Sequence, residues 1–299
     1  MTDPAPLLGA IEAGGTKIIA AIGSAAASRA TIRIPTGEPG AAVAAIARFF
    51  AGQAEPPAAV GVASFGPIDL DRASPGYGHL LKTPKPGWEG FDLAGRLGEV
   101  LGVPIALETD VNAAALAEAR IGAGAGRGDL AYVTVGTGIG VGLIVNGAPV
   151  HGIAHPEGGH LRPRRHPAHQ GFAGICPFHG DCLEGLASGP AIAAAWGQPA
   201  ESLAPDHPAW TVEADYLGQL CTDLILLLAP ATIVLGGGVM EHAGLLAPIR
   251  ARTAELLGGY GRASDAAALA RRIVAPGSPQ APGLAGAYLI AGERLTEPA

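Results

Sequence analysis

A short run of cysteine and histidine within residues 157–184 constrains this chain more than any other stretch. Cys176, His179 and Cys182 are spaced C-x2-H-x2-C, and His160 lies sixteen residues before the first of them. Thiolate sulfur and imidazole nitrogen are ligands that Zn²⁺ prefers, and four of them form a closed tetrahedral shell. We therefore predict one structural zinc ion held by these four residues. The alternative is a polar loop in which the cysteines are incidental.

Charge and cysteine content exclude several classes of protein. The chain has 19 Lys and Arg against 26 Asp and Glu, and no basic run is long enough to follow a phosphate backbone, so we expect no nucleic-acid partner.

The cysteines predict the compartment. Two of the three are assigned to the metal, and the third, Cys221, lies in an apolar helical pattern, so we expect no disulfide and a reducing, cytoplasmic environment. The first ten residues lack the pattern of a signal peptide. Residues 130–156 carry no Asp, Glu, Lys or Arg, but their glycines and the Asn146-Gly147 turn predict strands and not a membrane span.

Hydrophobic periodicity predicts an α/β chain. A length of 299 residues with 48% apolar content is enough to form two lobes. The predicted strands are Leu7–Glu12, Lys17–Ile22, Ala30–Ile34, Ala59–Phe65, Pro104–Leu107, two within Asp129–Val145, Thr232–Leu235 and Arg272–Ala275. The predicted helices are Pro39–Phe50, Asp92–Leu101, one opening at ETDVN, Leu183–Trp196, Trp210–Leu228, Leu245–Leu257 and Gly283–Arg294.

Three glycine segments follow predicted strands, and each has two interpretations. In EAGGTK, Gly14 and Gly15 could let a phosphate approach the backbone, with Thr16 and Lys17 adding donors, or could form a plain hairpin turn. The segment lacks the spacing of a Walker loop. GTGIGVG continues into another strand, so it is a phosphate cradle or an ordinary hairpin and not a dinucleotide fingerprint. The third, LGGGV, joins a strand to a helix.

Two polar segments also have two interpretations each. Asp110 lies where a strand becomes a helix, so its carboxylate could cap that helix or act as a general base at the strand end. Asn112 has the same ambiguity. The irregular segment Ile68–Trp88 is rich in Gly and Pro and is either a binding loop or a common surface loop.

The motifs E-A-G-G-T-K, D-V-N-A-A, G-T-G-I-G-V-G and L-G-G-G-V stand in this order, with E-G-G-H and the cysteine cluster before the last. This order resembles the ROK family of sugar kinases, and the resemblance runs from Leu7 to about Gly283. S-P-G-Y-G-H followed by T-P-K-P-G-W resembles the fructokinase branch. The resemblance implies the two-lobed α/β actin-like ATPase (ribonuclease H-like) fold, with mixed sheets flanked by helices. Its smaller lobe would be 1–120 plus a returning helix at 283–299, and its larger lobe 121–282 with the zinc loop 157–184.

The resemblance also implies roles for individual residues. Asp110 would be the catalytic base. The predicted sugar-binding residues are Asn112, Glu157, His160, Glu184, Gly66 and Pro67. The predicted ATP-binding residues are Gly14, Gly15, Thr16, Lys17, Gly136, Thr137, Gly138, Gly236, Gly237 and Gly238. Mg²⁺ would accompany ATP, and His160, Cys176, His179 and Cys182 would hold zinc.

Two positions depart from patterns within the family. Many members have Asp where Glu12 stands, which changes any contact to Mg²⁺ because a longer side chain shifts a water-mediated ligand. Glucokinases of the family have Cys where His179 stands, which favours the fructokinase branch.

The resulting expectation is a cytoplasmic, homodimeric kinase that transfers the γ-phosphate of ATP to fructose, giving fructose 6-phosphate by in-line attack with Asp110 as base. One alternative is a broader hexokinase acting on glucose or mannose. A second, from another class, is a zinc-containing sugar-sensing protein or repressor. Repressors of the family carry a DNA-binding helix-turn-helix before the first strand, and the strand beginning at about Leu7 leaves too few residues for one.

Overall fold

The computed structural model describes residues 6–296. Residues 1–5, where the predicted smaller lobe 1–120 begins, and residues 297–299, where the predicted helix 283–299 ends, lie outside this range. The strands are β1 (Leu8–Ala13), β2 (Lys17–Gly23), β3 (Ser28–Pro35), β4 (Ala59–Ser64), β5 (Ile105–Thr109), β6 (Leu130–Val135), β7 (Ile139–Val145), β8 (Ala148–Pro149), β9 (Thr232–Gly236) and β10 (Ile273–Val274). The α-helices are α1 (Pro39–Ala51), α2 (Leu93–Leu101), α3 (Asp110–Ile121), α4 (Leu183–Ala187), α5 (Gly189–Trp196), α6 (Ala209–Leu228), α7 (Leu246–Leu257), α8 (Ala266–Arg272) and α9 (Pro282–Thr296).

The chain divides into two compact units. The first comprises the described part of Met1–Gly122, the segment Ala148–Pro156 and the described part of Ser278–Ala299. The second comprises Ala123–Gly147 and Glu157–Gly277.

The sheet of the first unit has the strand order β3-β2-β1-β4-β5. β1, β2 and β3 form an antiparallel meander, while β4 runs parallel to both β1 and β5. Every residue of β4 is buried, as is typical of a parallel strand covered on both faces. One face packs against α1 and α2 through a core that includes Ile46, Trp88 and Leu97.

Helix α9 returns to the other face of this sheet, and glycine allows it to lie very close. A Cβ atom at Gly61 of β4 would collide with the backbone carbonyl of Ala287, and one at Gly286 would collide with the carbonyl of Ala113 on α3. Tyr288 is fully buried in the small-residue core there. The chain can make this sheet-to-helix and helix-to-helix approach only because neither position carries a side chain.

In the second unit the strands are ordered β10-β9-β6-β7. β6 and β7 form an antiparallel hairpin, and β9 runs parallel to both β6 and β10. β7 ends in the Asn146-Gly147 turn, where both residues have positive φ (53° and 78°), as that dipeptide predicts. The long helix α6 packs against α7 with Tyr216, Leu217 and Leu220 buried.

The predicted α/β fold is confirmed, and the elements differ from the sequence pattern in two places. The apolar run predicted as one helix, Leu183–Trp196, is two helices that meet at Ser188. The hydroxyl of Ser188 accepts the N–H of Ala191 and so begins α5 as its N-cap. The seven-residue α8, capped by Asp265, lies where no helix was predicted. Within residues 6–296, no helix combines the length and the apolar character needed to cross a bilayer.

Candidate active site and metal centre

The predicted metal ligands come together within the second unit. His160 ends a short 3-10 helix, Gly158–His160, and Cys182 is the residue that precedes α4. Cys176 and His179 belong to a tight turn in which Cys176 and Gly180 exchange two backbone hydrogen bonds of 3.1 and 2.9 Å. The two cysteines are buried, and Gly185 lacks a side chain where a Cβ would collide with the carbonyl of Gly180.

The distances between these side chains fit a tetrahedral metal ion. The ligand atoms of the four residues all lie within 4.8 Å of one another. His160 Nδ1 lies 3.4 Å from Cys182 Sγ, and Cys176 Sγ lies 3.8 Å from His160 Nδ1 and 3.7 Å from His179 Nδ1. With Zn–S bonds of about 2.3 Å and Zn–N bonds of about 2.0 Å, neighbouring ligand atoms of a tetrahedron lie about 3.3 to 3.8 Å apart. The donor set and the spacing therefore suit a closed structural site.

Burial also changes the protonation of one predicted ligand. Burial, followed by the neighbouring Cys176, raises the pKa of the Cys182 thiol to about 11. Metal ligation requires the thiolate, so a metal ion that binds here would displace the proton of this thiol.

Glu157 and Glu184, both predicted to bind sugar, lie on either side of this cluster in sequence and influence each other. Burial and, second, the charge of Glu184 raise the pKa of Glu157 to about 7. One carboxylate oxygen of Glu184 accepts the N–H of Ile139, the first residue of β7, at 3.0 Å. The glycines after Glu157 are required by packing, because a Cβ at Gly159 would collide with the carbonyl of Ile139.

The glycine turn between β6 and β7 lies beside the glycines that follow β9. The N–H of Gly136 donates to the carbonyl of Gly138 (2.9 Å), and the N–H of Gly189 donates to the carbonyl of Gly136 (2.8 Å). A Cβ placed on Gly136 would lie 4.0 Å from the nitrogen of Gly238. Gly237 has φ 93°, and a Cβ there would collide with the backbone of Val135. Thr137 is exposed, and Gly236 is the last residue of β9. These predicted ATP-binding residues thus share the carboxyl edge of two neighbouring parallel strands.

The corresponding turn of the first unit, between β1 and β2, is held by side chains. The N–H of Gly14 donates to the carbonyl of Lys17 (2.9 Å), and the hydroxyl of Thr36 donates to the carbonyl of Gly14 (2.7 Å). Thr16 and Lys17 are exposed. The ammonium of Lys85 donates to the carbonyl of Gly15 at 2.7 Å and lies over the ring of Phe65. Lys85 comes from T-P-K-P-G-W, and sequence analysis did not select it because no spacing links it to the turn.

Asp110 lies at the carboxyl end of β5, in the first turn of α3, and is half-buried. The hydroxyl of Thr109, not the carboxylate of Asp110, caps the helix by accepting the N–H of Asn112. One oxygen of Asp110 accepts the N–H of Val111 at 2.9 Å. Thr109 therefore serves as the N-cap of α3, while Asp110 also accepts one N–H of the first turn.

Glu108 is a buried residue of this segment that sequence analysis did not select. Its Oε1 accepts the N–H of Thr109 (2.8 Å) and the side-chain amide of Asn112 (3.1 Å), and its Oε2 lies 2.8 Å from His151 Nε2. This hydrogen bond raises the pKa of His151, against the opposing effect of partial burial. The sequence signal that could have identified Glu108 is a charged residue within a short predicted strand, and this signal is weak.

A second unselected histidine holds the segment that contains Gly66 and Pro67, which are joined by a cis peptide bond. The Nε2 atom of His155 accepts the N–H of Ile68 at 3.2 Å, and its ring lies against Gly66. Burial lowers the pKa of His155, so the ring stays neutral and can accept this bond.

Glu12 lies on β1 before the first glycine turn. Burial raises its pKa, against the opposing charge of Lys17 and a hydrogen bond from the backbone of Leu284. Among the described residues, its buried Oε2 has no hydrogen-bond partner. A carboxylate oxygen in this state is chemically suited to a hard cation or its bound water.

Comparison with known proteins places these motifs in one family. The model of the ROK family matches residues 8–294. The fructokinase of Zymomonas mobilis subsp. mobilis is 42% identical over 298 residues, which is 97% of this chain and 98% of that protein. The fructokinase of Pediococcus pentosaceus is 40% identical over 290 residues, which is 97% of this chain and 99% of that protein.

Solved structures agree with this. The ROK family glucokinase from Streptomyces griseus, in complex with glucose and AMPPNP, aligns with a TM-score of 0.77 and 28% identity over 96% of this chain and 99% of that chain. The ROK hexokinase from Thermus thermophilus aligns with a TM-score of 0.76 and 27% identity over 97% of this chain and 99% of that chain.

Proposed function

Because this chain belongs to the ROK family, we propose that it is an ATP-dependent fructokinase that converts fructose to fructose 6-phosphate. The observation that carries the proposal is the pair of fructokinases that match it at 40% identity or more over 97% of its length. The site geometry supports the same reaction, since a half-buried carboxylate and two glycine turns stand at strand ends.

Asp110 is the general base of this reaction. A sugar hydroxyl is a poor nucleophile, so a carboxylate that accepts its proton during attack on the γ-phosphorus lowers the barrier. The capping of α3 by Thr109 supports this role, because the carboxylate of Asp110 is not required to begin the helix.

The remaining predicted residues bind and orient the substrates. Glu157 accepts sugar hydroxyls, and Asn112, held by Glu108, presents its amide to the sugar. A pocket of such polar groups rejects analogues that lack a hydroxyl, because its own groups would then be unpaired. The predicted sugar-binding residues are completed by His160, Glu184, Gly66 and Pro67. Gly14 and Gly136 shape the two turns, because their own N–H groups donate to the carbonyls of Lys17 and Gly138. The other backbone N–H groups of Gly14–Lys17 and Gly136–Gly138 bind the phosphates of ATP, and those of Gly236–Gly238 lie beside its nucleoside.

Magnesium accompanies ATP, and Glu12 is the residue of the first glycine segment suited to hold it through water. When bound, the ion offsets negative charge on the phosphates. The buried Oε2 of Glu12, without a partner among the described residues, supports this assignment.

His160, Cys176, His179 and Cys182 would hold zinc as a structural ion. Four protein ligands would leave no open position, so the ion would shape the loop and take no part in the chemistry. Mass spectrometry of the native protein should find one zinc per chain.

We further propose a cytoplasmic homodimer. Three free cysteines, with no disulfide among the described residues, support a reducing compartment. The dimer follows from the family resemblance, and light scattering after size-exclusion chromatography measures it directly.

The deciding experiment is a coupled assay of ADP release with fructose, glucose and mannose at equal concentrations. Fructose should give the highest kcat/KM, and ³¹P NMR of the product should identify fructose 6-phosphate. Higher kcat/KM with glucose or mannose would replace the proposal with the broader hexokinase. No ADP release with any hexose would leave a sugar-sensing protein.

A further inference from the structure

A cavity of about 520 Å³ in the second unit has a concentration of arginine that the proposed kinase reaction does not use. We name it the arginine pocket. Its defining residues are Arg127, Arg262, Arg271, Arg272, Ile225 and Tyr260. Its volume lies within the roughly 300 to 1,000 Å³ that is usual for small-molecule sites.

The pocket lies at the amino edge of the sheet. Arg127 precedes β6, Ala231 directly precedes β9, and Arg272 directly precedes β10. The glycines assigned to ATP follow the carboxyl ends of β6 and β9. Five residues of extended β9 separate the two edges by roughly 17 Å, so the pocket is distinct from the nucleotide segments.

All the charged side chains that line the pocket are positive. Four of its lining residues are arginines and none is acidic, although the whole chain has a net charge of −7. Within residues 6–296, none of the four guanidinium groups forms an ion pair with a carboxylate. Nearby Asp265 caps α8, and its pKa is lowered first by the N–H of Ala268 and also by the charge of Arg271. The pocket therefore has positive charge that no carboxylate among its lining residues neutralises.

Two of these arginines are held in place by backbone carbonyls. Arg127 donates one N–H to the carbonyl of Arg271 at 2.8 Å, and Arg272 donates Nε–H to the carbonyl of Pro230 at 2.7 Å. A guanidinium carries five N–H donors, so each keeps further donors after this contact. Burial lowers the pKa of Arg272, which means that the protein partly desolvates this cation without giving it a counter-ion.

Apolar residues line the pocket together with the arginines. Ile225, Leu226 and Pro230 are among them, and so is Tyr260, which is 75% exposed. Leu226 is 55% exposed and therefore has apolar surface available for a ligand. A ligand that fills the cavity would touch both apolar surface and cations.

We propose that the arginine pocket binds a small phosphate monoester with an apolar or aromatic body. A phosphate dianion matches the planar fork of a guanidinium, which can donate two parallel hydrogen bonds to it. Four arginines that line one cavity suit a doubly charged group better than a single carboxylate. The apolar lining residues select esters with a hydrophobic body over inorganic phosphate.

The test uses phenyl phosphate as the probe, titrated into the full-length protein by isothermal titration calorimetry. One site per chain is expected. Affinity should fall about tenfold or more in the double variant Arg127→Gln with Arg272→Gln, because charge-assisted hydrogen bonds are lost. Arg48→Gln, an exposed arginine on α1, is the matched control and should bind as the unaltered protein does.

Two further measurements separate this site from others. Binding should persist in excess ADP, whereas a probe held by the nucleotide segments would be displaced. Arg262→Gln, in an exposed loop, provides a weaker second variant if the double variant does not fold. The proposal is overturned if phenyl phosphate does not bind, if the arginine variants keep full affinity, or if ADP abolishes binding.

Discussion

Each unit contains a glycine turn within the same arrangement of four strands, but different side chains surround the two turns. In the first unit the order β2-β1-β4-β5 places an antiparallel hairpin beside two parallel strands, and β7-β6-β9-β10 repeats this in the second. The cation of Lys85 lies against the first turn, at the carbonyl of Gly15. The carboxylate of Glu184 lies against the second, at the N–H of Ile139. A shared backbone pattern therefore does not imply a shared electrostatic environment.

A second difference lies at the ends of the outer parallel strands. β5 is followed by Asp110, whereas β10 is followed by Ala275 and Pro276. The second unit instead contains the long segment from Glu157 to β9, with the predicted metal ligands. From these contacts we expect changes at Asp110 or at the first glycine turn to affect chemistry or ATP alone. Changes at the second turn or at the metal ligands should affect several properties together.

The largest effect should come from Asp110→Asn, which tests whether the chemistry belongs to the first unit. General-base assistance supplies about 10² to 10⁴ in rate, so kcat should fall by that factor while the affinity for fructose changes little. Steady-state kinetics and sugar titration measure the two quantities. The exposed Asp206→Asn is the matched control. A variant with near-normal kcat would contradict the assignment of Asp110 as base.

Metal removal should have the next largest effect. It tests whether the stability of the second unit and sugar binding depend on the predicted metal site. Chelation should lower the melting temperature by about 5 °C or more. It should also weaken sugar binding by roughly 10- to 100-fold, because the ligands adjoin Glu157 and Glu184 in the chain, while ATP affinity changes less. Differential scanning calorimetry and sugar titration check this.

Cys182→Ser should reproduce the effects of chelation. Cys221→Ser, a change of the same type in buried helix α6, should keep the metal. Full sugar affinity in metal-free protein would show that the cluster and sugar binding are independent.

A smaller effect should follow from adding one methyl group to each turn. A Cβ at Gly15 would lie 2.8 Å from the Lys85 ammonium, and one at Gly138 would lie 2.5 Å from a Glu184 oxygen. Neither glycine has positive φ, so alanine strains neither backbone. Gly15→Ala should raise the KM for ATP about three- to tenfold through the displaced cation and leave the KM for fructose unchanged. Gly138→Ala should raise both.

The matched control for these variants is Gly171→Ala, because a Cβ there meets no atom within 4 Å. Michaelis constants for both substrates distinguish the outcomes. If both turn variants raised only the KM for ATP, the second turn would be no more strongly coupled to the sugar than the first.

The smallest effect concerns pH and the His151–Glu108 pair of the first unit. Glu108 raises the pKa of His151, so the pair stabilises the fold fully at pH below the unfolded value of about 6.5, and less as pH rises through the elevated pKa. His151 is 44% exposed, and solvent screening keeps the contribution below about 1 kcal/mol. His155 also lies close enough to interact with this histidine, and Tyr77 interacts with Glu108.

Glu108→Gln should return the pKa of His151 toward its ordinary value, as measured by NMR titration, and should remove this part of the pH dependence of unfolding. Glu99→Gln, whose ion pair is with Arg96 and not with a histidine, is the control. An unchanged His151 titration in Glu108→Gln would contradict the pairing.

Most strands and helices were predictable because their signals are local. The Asn146-Gly147 turn has the positive φ angles that this dipeptide favours, and the burial of β4 follows from its unbroken apolar run. The break at Ser188 was not predicted, since a capping serine inside an apolar run gives a weaker signal than the run itself. α8 was missed because it has only seven residues.

Sequence alone determined the α/β fold, the family motifs and the residue types suited to a metal cluster, because periodicity, glycine placement and ligand spacing act over a few residues. Tertiary structure alone decided which distant side chains meet. Lys85 reaches a carbonyl seventy residues away in the chain, and Arg127 reaches one 144 residues away. Such contacts depend on how packed elements bring chain segments together, and no local spacing records that geometry. For this reason the Lys85 contact, the Glu108 network and the arginine pocket emerged only from the folded chain.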